Sequence, residues 1–267
     1  TMLQARVMDP LPSFNYPGWA EAESWATELG RTLEAHVAVG ATTGNDLGDQ
    51  EWVPYNSAFH FHPDVGRVHR YDKRFLVPMV ERVPFLPPEW FAAIPFMGRF
   101  GVGAWSAPVE FATESGVASY GTMICYESIF SPLARHYRRN GAEFLVNLTN
   151  DSWFGRDSWW SRSSALWQHP AHLVMRAIET RMGVARSANT GVSKIVDPRG
   201  RVSHRTELFR PAAFVADVET TDGVTLYVRL GDVVGTAAAL AAIFALCASI
   251  GRARQEQGDE AVNAGHK

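Results

Sequence analysis

The chain has 267 residues, 46% of them apolar and 20% charged, with a formal net charge of −3. That length suits one large domain or two small ones, and the slightly acidic balance excludes the basic footprint of a nucleic-acid binder. Only two cysteines occur, Cys125 and Cys247, and the second lies inside an apolar run, which excludes a disulfide framework.

In chain order, TMLQARVMDP contains no apolar central region of the kind that marks an export signal. AEAESWATELGRTLEAH, residues 20–36, spaces Trp25, Leu29 and Leu33 along one helix face. VAVGATT follows as a short buried strand, and YNSAFHF alternates as a second. YDKRFLVPMVERVPFLPPEW is proline-broken and loop-like, and carries Lys73 and Glu81; residues 86–107 extend it as a long apolar loop. VASYGTMICYE is a strand entering a turn, SIFSPLARHYRR a helix, and EFLVNLTND a buried strand that closes on polar residues. SALWQHPAHLVMRAIETRM has helical spacing with a break expected near Pro170. GVARSANTG, VSKIVD and AAFVADV are short strands separated by turns at ANTG and DPRG. Strands alternating with helices predict an α/β layered domain.

The last apolar run, VVGTAAALAAIFALCASI, holds 18 uncharged residues from Val233 to Ile250, between Asp232 and the basic pair Arg252 and Arg254. A membrane-spanning helix needs at least about 17, so one C-terminal transmembrane helix is expected. The basic residues behind it set the C-terminus in the cytoplasm and the main domain on the outer side. The tail RARQEQGDEAVNAGHK has the composition of a disordered segment. The histidines show no metal-ligand spacing, HFH at His60 to His62 being strand alternation; neither a metal nor another cofactor is expected.

The candidate chemistry centres on GTMICYESIF, where an apolar strand reaches Cys125 and turns polar at Tyr126, Glu127 and Ser128. A buried packing cysteine and a nucleophile displayed at a strand end both fit that pattern. A nucleophilic thiol needs a base or a cation beside it, because a free pKa of about 8.5 leaves only a few per cent thiolate at neutral pH. A lysine near the attacked carbonyl would also stabilise an oxyanion together with backbone N–H groups at the strand-to-helix turn. Tryptophans crowd into DSWFGRDSWW, a composition shared by cores, apolar substrate grooves and membrane interfaces. Asn150 and Asp151 have the chemistry of turn formers, as do Asn189 and Gly191. Arg176 and Glu179, three apart on a helix, are spaced for an ion pair.

Several of these segments together resemble one family. YDKRFLVPMVERVPF is similar to the lysine-bearing segment of the apolipoprotein N-acyltransferases, the membrane branch of the nitrilase (carbon–nitrogen hydrolase) superfamily. MICYESIF resembles their nucleophile segment, NLTNDSWFG the stretch after the next strand, and MRAIETRMGVARSANTGVSKIVDPRGRV the helix and Asn-x-Gly turn that follow. The motifs occur in order over about residues 37 to 250. The resemblance implies an α/β nitrilase-like four-layer α-β-β-α sandwich followed by one C-terminal transmembrane helix. It divides the chain into a catalytic domain at 1–222, a linker and membrane helix at 223–251 and a cytoplasmic tail at 252–267.

By the same resemblance Cys125 is the nucleophile that forms a thioester with an acyl chain from a phospholipid, and Lys73 stabilises the oxyanion. Glu81 supports the site and Glu127 orients groups around the thiol. Trp153, Phe154, Trp159 and Trp160 line or lid an entrance for acyl chains, and Asn189 shapes the pocket wall. The implied acceptor is a diacylated lipoprotein, and the implied location is a bacterial inner membrane with the domain on its periplasmic side. A nitrilase-type amidase, or a membrane-anchored remnant without activity, are the alternatives. One departure stands out. The family's general-base glutamate is expected near residues 8–11, which are MDPL, so Asp9 is the only carboxylate there to stand in for it. The family's N-terminal membrane helices are also absent, so the sequence is expected to be an N-terminally incomplete piece of a longer protein.

Overall fold

The computed structural model describes residues 2–8, 19–46, 52–83, 85–87, 90, 98, 100–114 and 116–264. The chain divides into two compact units, Thr1–Val228 and Arg229–Lys267.

The first unit contains strands β1 (Met2–Met8), β2 (Val37–Asp46), β3 (Trp52–His62), β4 (Gly66–Asp72), β5 (Val109–Thr113), β6 (Gly116–Ile124), β7 (Phe144–Asn150), β8 (Gly183–Asn189), β9 (Lys194–Val196), β10 (Val202–Ser203) and β11 (Ala213–Glu219). Its helices are α1 (Trp19–Leu33), α2 (Ser131–Arg139) and α3 (Ala165–Thr180). A six-stranded sheet runs in the order β10-β9-β8-β7-β6-β5, a three-stranded sheet in the order β2-β3-β4, and β1 pairs with β11. β6, β7 and β8 are parallel neighbours and the remaining pairs are antiparallel.

Four layers follow from where the apolar side chains go. Trp25 and Ala26 of α1 pack on Val39, Ala41, Phe59 and Phe61 of β2 and β3. Ala58 of β3 and Tyr71 of β4 meet Ile124 and Leu148 of the larger sheet. Val109, Tyr120, Phe144, Ala185 and Ile195 meet Ala216 and Val218 of β11 on that same side. Met123, Leu145, Val184 and Val196 face outward onto Leu133, Ala134 and Tyr137 of α2 and Leu173 and Ala177 of α3. The expected α-β-β-α sandwich is thus present. Gly121 lets α2 lie this close, since a Cβ there would sit 2.3 Å from Cγ of Tyr137.

Several elements differ from the sequence expectation. GRVHRYD and VEFAT are strands β4 and β5, where loop was expected or no element was marked. α3 runs unbroken through Pro170, whose missing N–H falls in the second turn while the buried face of the helix continues. The C-terminal segment is helical to Ala264 as part of α5 (Val233–Ala264), not a disordered tail, because its Gln, Glu and Ala residues sustain a helix already nucleated. A short helix, α4 (Leu226–Leu230), precedes α5. Val233–Arg252 of α5 is long and apolar enough to cross a membrane, and none of it is buried.

The end of the first unit is tied down by one arginine. Arg138 of α2 donates to the carbonyls of Ala142 at 2.7 Å and Gly223 at 2.6 Å, and also to that of Thr221.

HFH does more than alternate. His60 sits between the sheets, with Nδ1 2.8 Å from the Tyr120 hydroxyl and Nε2 2.9 Å from Nδ1 of His36. His62 and Phe111 close on the His36 ring at 4.9 and 5.1 Å. Burial, reinforced by the neighbouring imidazoles His36, His69 and His62, pushes the His60 pKa down to about 4. A base whose folded pKa is depressed favours its neutral form in the fold, so its stabilisation is complete above about 6.5 and is lost as pH falls toward 4. Between pH 7 and 5 this amounts to roughly 2 kcal/mol. Thermal melts should therefore fall more steeply over that interval for the native chain than for His60→Gln; parallel slopes would remove His60 as the cause.

Candidate active site

β6 ends at Ile124, and Cys125 then takes φ = +49°. A non-glycine residue enters that left-handed region at a cost of about 1–2 kcal/mol. The chain continues as one tight 3₁₀ turn, Cys125–Ile129, before α2 begins at Ser131. The reversal leaves the thiol half-buried at the carboxyl edge of the large sheet. Cys125 thus stands at a strand end and also packs against Ala58, Tyr71 and Ile124.

Lys73 follows β4 directly. Its N–H donates to the Asn56 carbonyl at 2.8 Å and its own carbonyl accepts from Gly103 at 2.9 Å, so the backbone is fixed on both sides. The side chain is only 1% exposed, and Nζ donates to both carboxylate oxygens of Glu81 at 2.9 and 2.8 Å. Glu81 is held in turn by Asn56 Nδ2 at 3.1 Å and the Val77 N–H at 2.7 Å. A buried ammonium is tolerated because its counter-ion is this well fixed.

Glu127 is fully buried two residues after the cysteine. Its Oε1 accepts from the Tyr71 hydroxyl at 2.7 Å and from the N–H groups of Arg74 at 2.8 Å and Phe75 at 3.1 Å. Its Oε2 accepts from the N–H of Ile124 at 2.7 Å. One carboxylate therefore joins the segment around Lys73 to the segment around Cys125. Burial pushes its pKa up, against the pull of these four hydrogen bonds.

Burial likewise pushes the Cys125 thiol up. The Lys73 charge and a hydrogen bond with Thr149 pull it down, while the charges of Asp151 and Glu81 push it up. A polar wall stands behind it. Arg186, wholly buried, donates to Asp151 Oδ2 and to Asn147 Oδ1, each at 2.5 Å, and to the Val192 carbonyl at 3.0 Å. Asp151 Oδ1 receives His169 Nδ1 at 2.9 Å and the Thr149 hydroxyl at 3.0 Å. Although burial opposes it, these partners hold the Asp151 carboxyl below the usual range. Asp151 is thus more than a turn former. Gly191 serves it, since a Cβ there would lie 2.1 Å from Asp151 Oδ2.

The structure brings Cys125, Lys73, Glu81 and Glu127 into one site. Trp153, Trp159 and Trp160 are not core residues, being 74%, 81% and 75% exposed. Phe154 is partly buried against the His169 ring at 5.2 Å. Asn189, the last residue of β8, donates from Nδ2 to Asn150 Oδ1 at 3.4 Å and so ties the ends of β7 and β8 together. Arg176 pairs with Glu179 at 2.8 Å and also donates to the Ile129 carbonyl at 2.9 Å, bracing the 3₁₀ turn that carries Cys125 against α3. Asp9 lies outside the described residues. Sequence reasoning missed Asn56, Tyr71, Thr149, Asn147, His169 and Arg186. Only Arg186, a charge inside an apolar strand, carried a signal of its own. No group of three or more metal-binding side chains occurs among the described residues.

A four-layer α-β-β-α sandwich with a cysteine at a left-handed strand end, beside a buried lysine–glutamate pair, defines a class of thiol enzyme fold. The sequence model described as carbon-nitrogen hydrolase matches residues 11–221, and the chain belongs to that family. Among curated proteins it is 38% identical over 209 residues to the apolipoprotein N-acyltransferase of Geobacter metallireducens, and 34% identical over 212 residues to that of Chlorobaculum tepidum. These alignments cover 77% and 75% of this chain but 38% of each relative, so the chain spans about two fifths of their length. Among solved structures, a carbon-nitrogen hydrolase from Helicobacter pylori G27 superposes with a TM-score of 0.58 at 15% identity, covering 75% of this chain and 67% of that one. An amidase from Nesterenkonia sp. superposes with a TM-score of 0.55 at 17% identity, covering 80% and 70%. At such identities the structures establish the fold.

Glu127→Gln keeps the shape but turns an amide donor toward backbone N–H groups. That buried mismatch should cost roughly 2–4 kcal/mol and lower the melting temperature by about 5–15 °C. A melt within 2 °C of the native chain would show that the carboxylate does not hold the two segments together.

Proposed function

We propose that this chain carries the thioester-forming site of an apolipoprotein N-acyltransferase. The observation that carries the reading is the buried Lys73–Glu81 pair fixed beside a thiol at a left-handed strand end. In the first half-reaction the Cys125 sulfur attacks the ester carbonyl of a phospholipid. The oxyanion is met by Lys73 and by N–H groups of the 3₁₀ turn, and the lysophospholipid leaves with a proton. In the second, the free amino group of a diacylated lipoprotein's N-terminal cysteine attacks the thioester, forming an amide and restoring the thiol. Glu81 holds Lys73 in place through both carboxylate oxygens. Glu127 acts through the backbone as a positioning residue.

Both substrates of this reaction are membrane-resident. The apolar α5 segment and the exposed Trp153, Trp159 and Trp160 support a site that works at a membrane surface. On this reading the domain lies on the outer face of the bacterial inner membrane, and the tryptophans flank the entrance for acyl chains. Hydrolysis of a small amide by the same thiol is the competing outcome.

Intact-mass analysis of the chain in phospholipid nanodiscs should find an acyl adduct that hydroxylamine removes, on Cys125 and not in Cys125→Ala. Lys73→Ala should slow its formation on the order of 10²–10³-fold, the loss typical of one oxyanion donor. Adding a diacylated lipopeptide should discharge the adduct onto the peptide amine. Turnover of small amides with no lipid adduct would replace this reading with an amidase.

A further inference from the structure

One segment hydrogen-bonds the backbone of both members of the buried ion pair. The Phe100 N–H donates to the Glu81 carbonyl at 3.1 Å, and the Gly103 N–H donates to the Lys73 carbonyl at 2.9 Å. Between them the Gly101 N–H donates to the Pro54 carbonyl at 2.8 Å. Residues 100–106 thus form a strap across the two residues whose side chains meet at 2.9 and 2.8 Å.

The strap reaches Lys73 only because residue 103 has no side chain. A Cβ there would stand 1.8 Å from the Asp72 carbonyl oxygen and 2.5 Å from its carbon. Those are backbone atoms of β4, paired through Asp72 with Ser57 of β3, and they have no rotamer by which to give way. A Cβ keeps at least 3.0 Å from such atoms, so any side chain would lift the strap by more than an ångström. Past Gly103 the strap has little slack to absorb that lift. Arg74 Nη1 donates to the Gly103 carbonyl at 3.1 Å, and the Arg74 guanidinium lies 4.3 Å over the Trp105 ring. The Trp105 ring also lies 4.6 Å from that of His136, whose Nε2 is 2.9 Å from the Ser106 carbonyl. A lift at residue 103 is therefore passed to the Lys73 carbonyl that it holds.

We propose that Gly103 is a positioning residue for Lys73: it lets the strap lie against Asp72, which sets where the ammonium stands in the site, while the same strap holds Glu81 in step with it. The proposal rests on Lys73 meeting the oxyanion, as in the proposed function.

The chain has three lysines, Lys73, Lys194 and Lys267. Competitive acetylation of the folded chain, read peptide by peptide by mass spectrometry, follows Lys73 directly. Lys194, buried in β9, serves as an internal gauge of opening elsewhere. Gly103→Ala should raise Lys73 labelling about tenfold over the native chain and leave Lys194 unchanged. In nanodiscs the same variant should form the Cys125 adduct on the order of 10–100-fold more slowly, because a misplacement of about 1 Å can cost that much. Lys73 labelling that does not rise, or that rises only in step with Lys194, would overturn the proposal and leave Gly103 a packing residue. An unchanged adduct rate beside a raised Lys73 label would overturn it as well. Should Gly103→Ala fail to fold, Trp105→Leu, which loosens the strap past Gly103 without a backbone clash, is read by the same criteria. Acetylation needs neither lipid nor acceptor. A native chain that forms no adduct, with the labelling shifts intact, would overturn the acyl-transfer reading and leave the hold of Gly103 on Lys73 standing.

Discussion

The carboxylate of Glu127 is the constraint on which the site depends. Tyr71, Arg74 and Phe75 belong to the segment that carries Lys73, and Ile124 precedes Cys125; all four donate to the same two oxygens. A buried carboxylate is costly, and its cost is offset only when every lone pair finds a donor in good geometry. That requirement is met by one relative placement of the two segments. The burial that makes Glu127 expensive also makes the placement unique, as an apolar contact would not. Lys73 is thereby fixed without being touched, because the residue after it is bound to the anchor on one side and its own backbone to Asn56 and Gly103 on the other.

The electrostatics around the thiol are balanced against a standing charge. Burial favours the neutral thiol, Lys73 favours the thiolate, and the carboxylates of Asp151 and Glu81 oppose it. Lys73 faces the site as one end of an ion pair with Glu81, so at a distance its field is that of a dipole and falls off quickly. On the proposed reading, such a group suits an oxyanion that forms close to it better than a thiolate held permanently. A resting thiol is also less exposed to oxidation than a resting thiolate. On the proposed reading such a thiol needs a separate proton acceptor, for which the sequence offers Asp9; that residue lies outside the described residues.

The layered fold and the four central residues were legible in the sequence because each left a local mark. Cys125 interrupts an apolar strand, Lys73 and Glu81 sit in a proline-broken loop, and Glu127 follows Cys125 by two. The ordered motifs then tied those marks together. What was not legible depends on pairing across the fold. β4 and β5 did not stand out, since β4 buries only Gly66 and Tyr71 and β5 only Val109. Asp151 and Gly191 resemble any pair of turn residues until a buried arginine from another strand is seen to claim the first and the first to claim the space beside the second. Pro170 was expected to break its helix because its local effect is real, and the buried face of α3 outweighs one lost hydrogen bond.

That the chemistry gathers where it does follows from strand direction. β6, β7 and β8 are the parallel trio of the large sheet, so their carboxyl ends lie side by side on one edge. From those three ends come Cys125, the Thr149–Asp151 corner and the Asn189–Gly191 turn, and α3 closes the same edge with His169 and with Arg176 on the Ile129 carbonyl. Antiparallel neighbours would send alternate ends to opposite edges and could not assemble three loops at one place. Clefts at the carboxyl ends of parallel strands are where open α/β sheets place ligands in general. The buried Arg186 fits this logic: with strand ends converging, their carbonyls and the Asp151 carboxylate accumulate acceptors in a region closed to water, and a guanidinium supplies donors in a planar fork that can serve several at once. A lysine in its place would offer a point charge and leave that fan of acceptors incompletely met. The neighbouring Lys194 feels the cost, held to about 8 by burial and by the charges of Arg186 and Arg205. The wall behind the thiol is therefore held from several sides, because Asp151 is bound at once by Arg186, His169 and the Thr149 hydroxyl.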